Sequence, residues 1–335
     1  MNIVRVPFQT MQSEFQRILF KYGFSAKKAE TCAHIFADNS LEGIYSHGVY
    51  RFSRFVDYIK RGFINVDAEP RLVHPAGALE QWNGQLGPGP LNAVFCTDRA
   101  MQLAAANGLG CVAIANTNHW MRGGTYGWQA AKKGFAFIGW TNTEANMPAW
   151  GAKESRLGNN PLVFAMPFNG EAIVLDFAMT QFSYGKMEAA ELEGKMLPYP
   201  GGFTKNGKLT DQPAEILESQ RALPIGYWKG AGLSLLLDIL ATVLSAGLST
   251  RELSQKEVEY SVSQVFIAFS LEKLSNYPIV EKTIGEIISD FKNAAPDESG
   301  GEIRYPGERV LHNRTENLKN GIPVSKKAWE EIEKL

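Results

Sequence analysis

Apolar positions along the chain change period several times, and each change marks an element. The first sixty residues carry helical spacing. Phe52, Phe55, Val56 and Ile59 fall on one face of a helix over 51–60, and Ser25 after Gly23 marks a helix start. Pro70 and Pro75 then change the character of the chain. From about residue 80 helical and extended patterns alternate. The spacing predicts a helix over 91–107 closed by Gly108, a strand over 111–116, a helix over 127–133 closed by Gly134, and a strand over 135–141. Two more strands, 162–166 and 172–177, flank Asn169-Gly170, a dipeptide that favours a tight hairpin. Residues 198–207 are rich in Gly and Pro and read as a loop. The stretch 230–248 is apolar and long enough to weigh as a membrane span. Asp238, the small residues and the lack of sister segments favour a buried core helix instead. A strand over 264–271, an amphipathic helix over 279–292, a polar loop over 295–301 and a last helix capped by Ser325 complete the reading. The outline is a mixed α/β core flanked by helices from both chain ends, and the hairpin argues against a purely parallel sheet.

Composition narrows the class. The 335 residues are 44% hydrophobic and 21% charged, as expected of a soluble globular protein. A net charge of −1, with no run of Lys and Arg, removes the attraction a nucleic-acid binder needs. Cys32, Cys96 and Cys111 sit among apolar neighbours with no metal-ligand spacing, so they read as buried free thiols of a reducing compartment. The N-terminus turns polar at once and shows no signal-peptide pattern, so the expected location is the cytoplasm.

Chemistry concentrates around two of the five histidines. His47 lies in Tyr45-Ser46-His47-Gly48, one helical turn before Arg51. His119 lies in Asn116-Thr117-Asn118-His119-Trp120-Met121-Arg122-Gly123-Gly124. Imidazole moves protons near neutral pH, and guanidinium grips a carboxylate through two parallel hydrogen bonds. The pairing suits a small carboxylate substrate that gains or loses a proton. Either histidine also reads as a helix brace. Asp176 ends an apolar strand, where its carboxylate either accepts ribose hydroxyls or caps a turn. Lys229 opens the apolar helix and faces either an anion or solvent. Gly108-Leu109-Gly110-Cys111-Val112-Ala113 matches a dinucleotide fingerprint by letters, but it follows a helix and opens a strand, the reverse of that site. No phosphate loop of the GxxxxGK type and no HExxH zinc motif occurs, and no metal is expected.

The blocks Gly43-Ile44-Tyr45-Ser46-His47-Gly48-Val49, Asn118 to Gly124, Tyr126-Gly127-Trp128-Gln129-Ala130-Ala131, Pro148 to Glu154, Leu223 to Gly230 and Pro306-Gly307-Glu308 together resemble the malate/L-lactate dehydrogenase type 2 family, also called sulfolactate dehydrogenase-like. The resemblance covers essentially the whole chain. It implies a non-Rossmann α/β fold with a largely antiparallel, seven-stranded central sheet. A helical region is built from both termini, 1–75 plus 280–335, around a cofactor-binding and catalytic domain over 76–279. It implies a homodimer with active sites near the subunit interface. His47 matches the family's acid/base histidine, and His119 a second active-site histidine with that role in some relatives. Ser46 and Arg51 match substrate contacts. Thr143, Asp176, Phe177, Ala178, Trp228, Lys229, Gly307, Glu308 and Arg309 match contacts to NADH or NADPH. Asn159 and the Arg309 that follows Pro-Gly-Glu depart from the pattern of close relatives. The implied reaction is reduction of a 2-oxo sugar acid, 2,3-diketo-L-gulonate, at C2. The alternatives are the same chemistry on malate, lactate, sulfolactate or ureidoglycolate, a cofactor-free sugar-acid lyase or isomerase, and a non-catalytic sugar-acid binder.

Overall fold

The computed structural model describes residues 2–192, 194–296 and 301–335. In chain order the N-terminal part gives β1 (Ile3–Val6), α1 (Phe8–Lys21), α2 (Ala26–Leu41), a 3-10 turn at Tyr45–His47 and α3 (Val49–Lys60). Next come β2 (Arg71–Ala76), β3 (Leu79–Asn83), α4 (Gly89–Asn107), β4 (Leu109–Thr117), α5 (Gly124–Ala131) and β5 (Phe135–Thr141). The hairpin β6 (Leu162–Phe168) and β7 (Glu171–Phe177) precedes α6 (Tyr184–Leu192) and the long α7 (Trp228–Ser245). The chain closes with β8 (Val262–Ser270), α8 (Tyr277–Lys292), α9 (Glu308–Asn320), β9 (Ile322–Ser325) and α10 (Lys326–Glu333).

The central sheet has seven strands in the order β2-β3-β4-β8-β5-β6-β7. Only β3 and β4 run parallel; every other neighbour is antiparallel. The β6–β7 turn is the expected Asn-Gly hairpin. Phe168 pairs with Glu171, and Asn169 and Gly170 both take positive φ, at 49° and 72°. A two-residue turn of this hand matches the twist of the strands it joins. Helices α4 and α5 cover one face with a core of Ile114, Trp120, Tyr126, Phe137 and Phe266. Helix α7 covers the other face.

Both termini share a separate hydrophobic cluster. Phe15 stacks on Phe52 at 4.1 Å, and Phe36 meets Phe52 edge-on at 5.1 Å. Trp329 and Ile332 of α10 join the same cluster. Truncating one such buried ring costs about 3–5 kcal/mol.

Several sequence expectations need correction. The N-terminal region does not start helical: β1 pairs antiparallel with β9, from Ile3↔Ser325 to Val6↔Ile322. Ser325 sits at the start of α10, but its side chain makes no capping bond, and its N–H donates to the Tyr50 hydroxyl at 3.1 Å. Ser25 likewise makes no side-chain capping bond to α2. The loop at 198–207 contains a short strand, Gly202–Phe203, paired with Leu209–Thr210. Positions 297–300 of the expected 295–301 loop lie outside the described residues. Helix α7 is not buried all round. Ala231, Ser234, Leu237 and Ala241 face the sheet, and the Leu237 carbonyl accepts from Trp140 Nε1 at 3.1 Å. Leu236, Leu240 and Val243 face outward, Val243 at 68% exposure. A sheet contacts only one side of a helix, so an all-apolar helix on its surface leaves an apolar face.

One buried carboxylate joins the layers. Glu42, at the end of α2, is 1% exposed and pairs with Arg122 from the loop before α5 and with Arg314 of α9. Arg314 also lies 3.6 Å from Asp38. Removing one partner of a buried pair strands the other charge and costs about 3–5 kcal/mol. Glu42→Ala should therefore lower unfolding stability by about that amount in urea titrations followed by circular dichroism. The same change at Glu154, an exposed ion-pair residue, should leave the midpoint nearly unmoved.

Candidate functional site

The site is assembled from two loops that end on neighbouring elements. The turn Tyr45–His47 lies between α2 and α3, and residues 118–123 link β4 to α5. Asn39 of α2 ties them together. Its Nδ2 donates to the His47 carbonyl at 3.0 Å, and its Oδ1 accepts from the Thr125 hydroxyl at 2.8 Å. Ser40 Oγ accepts the Val49 N–H at 2.8 Å and fixes the exit of the turn. Asn118 anchors the second loop by donating to the carbonyls of Phe63, Leu86 and Gly87. Gly89 lets α4 start against this loop: a Cβ there would lie 2.2 Å from the His119 carbonyl oxygen.

These constraints bring the two imidazoles face to face. The rings of His47 and His119 are 5.7 Å apart and 21° from parallel. Ser46 Oγ lies 3.0 Å from His47 Nδ1. The Met121 N–H donates to His119 Nδ1 at 2.9 Å.

Arg51 stands beside both rings. It lines a pocket with Arg54, Tyr58, Asn118, His119, Met121 and Glu259. Among the described residues neither Arg51 nor Arg54 has an ion-pair partner. The charge they carry acts on the histidines. Burial, and then the Arg51 charge, push His47 down to about 4. Burial pushes His119 well below the ordinary imidazole value, helped by Arg51, His47 and Arg54. Both rings are therefore neutral near pH 7 in the free protein. An anion on Arg51 would cancel part of that push and raise the histidine pKa values.

The other sequence-predicted residues fall in two groups around strand β7. Thr143 is buried, and its hydroxyl bonds to the side-chain oxygens of Asn159 at 3.0 Å and Asn160 at 3.2 Å. Asn160 Nδ2 in turn donates to the Ser234 carbonyl of α7 at 2.9 Å. The Met179 N–H donates to the Asn159 carbonyl at 2.8 Å, and the Ile225 N–H to the Met179 carbonyl at 2.9 Å. Thr143, the strand end at Phe177 and Ala178, and the start of α7 with Trp228 and Lys229 are thereby held together. Trp228 is 63% exposed and Lys229 is exposed. Asp176, also exposed, accepts the Gly124 N–H on Oδ2 at 2.7 Å. It caps α5 rather than a turn of its own.

The second group is the 307–309 turn. The Val174 N–H donates to the Pro306 carbonyl at 3.1 Å, which seats the turn on β7 two residues from Asp176. Glu308 is taken up by Lys292 Nζ, at 2.7 and 3.0 Å. Arg309 lines an open cavity of about 630 Å³ with Arg304, Glu308 and His312. The structure gives no direct contact between this turn and the two histidines.

Sequence reasoning missed Asn39, Arg54, Tyr58 and Glu259. Arg54 carried a readable signal, since it follows Arg51 at i+3 and so shares its helix face. Asn39 carried none, because its bonds reach residues far along the chain. Glu259 is brought to the pocket from the segment before β8, and its carboxylate takes the Glu144 N–H at 2.9 Å.

Comparison with known proteins settles the class. A sequence profile described as malate/L-lactate dehydrogenase matches residues 6–333. The chain is 44% identical over 333 residues to the 2,3-diketo-L-gulonate reductase of Escherichia coli K12, covering 99% of this chain and 100% of that protein. Its fold matches sulfolactate dehydrogenase from Methanocaldococcus jannaschii with a TM-score of 0.90 at 28% identity, over 98% of this chain and 93% of that one. It also matches malate dehydrogenase from Entamoeba histolytica, with a TM-score of 0.94 at 24% identity, over 99% and 97% of the two chains. The fold and the sequence likeness thus define an oxidoreductase of 2-hydroxy and 2-oxo acids that uses a nicotinamide cofactor. The chain is a member of the malate/L-lactate dehydrogenase family.

Replacing Arg51 with Met should raise the His47 pKa from about 4 toward the ordinary imidazole value, because it removes the neighbouring positive charge. Titration of the His47 ring protons by NMR checks this; an unmoved midpoint would mean that burial alone sets the value.

Proposed function

We propose that the protein reduces 2,3-diketo-L-gulonate to 3-dehydro-L-gulonate in the cytoplasm, with His47 as proton donor and Arg51 as the carboxylate clamp. The observation that carries this reading is the unpaired guanidinium of Arg51 beside two neutral, facing imidazoles. A cation with no acidic partner within ion-pair distance is a ready site for a substrate carboxylate. Full-length identity of 44% to the Escherichia coli reductase supports the choice of substrate. Arg54, Tyr58 and Glu259 extend the pocket with donors and acceptors that suit a hydroxylated chain.

Arg51 binds the C1 carboxylate and so orients the C2 carbonyl. The same contact raises the His47 pKa, so the substrate itself brings the proton donor into its charged form. His47 then gives its proton to the C2 oxygen. Ser46 accepts or donates at Nδ1 as the ring changes charge. When bound, the reduced nicotinamide supplies the hydride that the carbon receives.

The residues around β7 fit such a cofactor. Asp176 keeps one carboxylate oxygen for ribose hydroxyls while the other caps α5. Lys229 and the positive end of the dipole of the 18-residue helix α7 suit a pyrophosphate. Phe177, Ala178, Trp228 and the Gly307-Glu308-Arg309 turn would form the walls. Thr143 would act mainly by holding the strand end, because its hydroxyl is already bonded.

The apolar outer face of α7 supports a homodimer. Leu236, Leu240 and Val243 form an exposed stripe on the helix that begins with Trp228. A second copy covering this stripe would bring the interface to the proposed cofactor site.

Purified protein should oxidise reduced nicotinamide rapidly with 2,3-diketo-L-gulonate and slowly with pyruvate or oxaloacetate, read by absorbance with NADH and NADPH in parallel. His47→Ala should lower turnover by about 10²–10⁴-fold and leave cofactor fluorescence titrations unchanged. Equal turnover in the variant would end the assignment of His47. Paired Leu236→Lys and Val243→Lys changes should convert a dimer to a monomer in sedimentation velocity, with helical content retained.

A further inference from the structure

The two histidines differ in one contact. His119 Nδ1 accepts the Met121 N–H at 2.9 Å. A flipped ring would set a C–H against that same N–H, so the ring orientation is fixed by the bond. The backbone pays for this arrangement: Met121 has φ of +66°, a conformation uncommon for a side chain of its kind. An Nδ1 that accepts cannot also carry a proton. His119 is thus the Nε2–H tautomer, and conversion to imidazolium would break the Met121 bond and face two hydrogens against each other. His47 has no such restriction. Its Nδ1 meets the Ser46 hydroxyl at 3.0 Å, which turns to accept when the ring is charged and to donate when it is not.

The geometry points to a division of labour: His119 is a fixed, neutral hydrogen-bond donor to the C2 oxygen, and His47 alone transfers the proton. This rests on the oxo-acid reductase reading above. In the reductive step the His47 N–H bond breaks and an O–H bond forms at C2, while the hydride comes with the reduced nicotinamide. His119 keeps its own proton throughout and stabilises the charge that develops on the oxygen. The lowered pKa of His119 agrees with a ring that stays neutral.

Glutamine separates the roles, because its side-chain amide still donates a hydrogen bond but transfers no proton. His119→Ala should lose about 10²-fold in turnover, the cost of removing one oxyanion donor. His119→Gln should recover at least about tenfold of that loss and keep the wild-type pH inflection of kcat. His47→Gln should be no better than His47→Ala, with the inflection gone. Rescue at position 47 instead of 119, or loss of the inflection in His119→Gln, would overturn the division. Nitrogen-15 NMR of the free protein tests the tautomer without any reaction. His119 Nδ1 should stay unprotonated between about pH 5 and pH 8. A protonated Nδ1 there would refute the proposal even if the reductase activity is present. If the tautomer holds but no oxo acid oxidises the cofactor, the reductase reading has failed instead.

Discussion

Three of the segments that carry the site meet at one buried carboxylate. Glu42 ends α2 immediately before the turn that presents His47. It holds Arg122, which lies in the loop that presents His119, and Arg314, which lies on the helix that starts at the 307–309 turn. Burying three charges is expensive, and a hydrophobic cluster of similar volume would often be as stable or more so. What an apolar cluster would not supply is direction. A carboxylate with two oxygens, each taken by a different guanidinium, fixes the relative position of three chain segments. Asn39 repeats the arrangement at smaller scale, with one amide joining the His47 carbonyl to Thr125.

This arrangement explains which features were legible in the sequence. Local signals read well. Asn169-Gly170 specified its hairpin because the turn depends on two residues alone. The helices 89–107 and 124–131 and the strands of the sheet centre followed from periodicity, with ends displaced by a few residues. Features that depend on distant partners did not read. Strand β1 exists because residues 322–325 lie beside it. Strand β2 is exposed along its whole length and contains Pro75, so it shows no inward-facing alternation. The outward face of α7 could not be separated from a buried one, since composition reports that a surface is apolar and not what covers it.

The site shows the same division. Residue types suggested the chemistry: two imidazoles and a guanidinium raised the expectation of proton transfer on a substrate that carries a carboxylate. The roles proposed for the two histidines depend on a main-chain N–H at Met121, and any residue other than proline brings that group. No side-chain pattern could have revealed it. The fold-level likeness to sulfolactate and malate dehydrogenases shows the same limit from the other side, because a shared scaffold leaves the substrate to the pocket lining.

The electrostatics of the pocket then have a simple logic. Burial first, and then the Arg51 charge, keep both imidazoles from holding a proton in the free protein, with Arg54 adding to the effect at His119. A substrate without a carboxylate would leave that field intact, and His47 would have no proton to give. In the proposed reaction, a substrate that brings its carboxylate to Arg51 would cancel part of the obstacle at the moment the proton is needed. Binding and activation would thereby be coupled through one guanidinium, and selectivity for oxo acids over plain ketones would follow from charge as well as from shape. Glu259, held by the Glu144 N–H, lines the same pocket. The carboxylate of Glu259 offsets part of the arginine field from the far side while leaving Arg51 itself unpaired. A partner within bonding distance of Arg51 would have removed its contribution to the histidine pKa in advance, and the substrate carboxylate would then have had less to change.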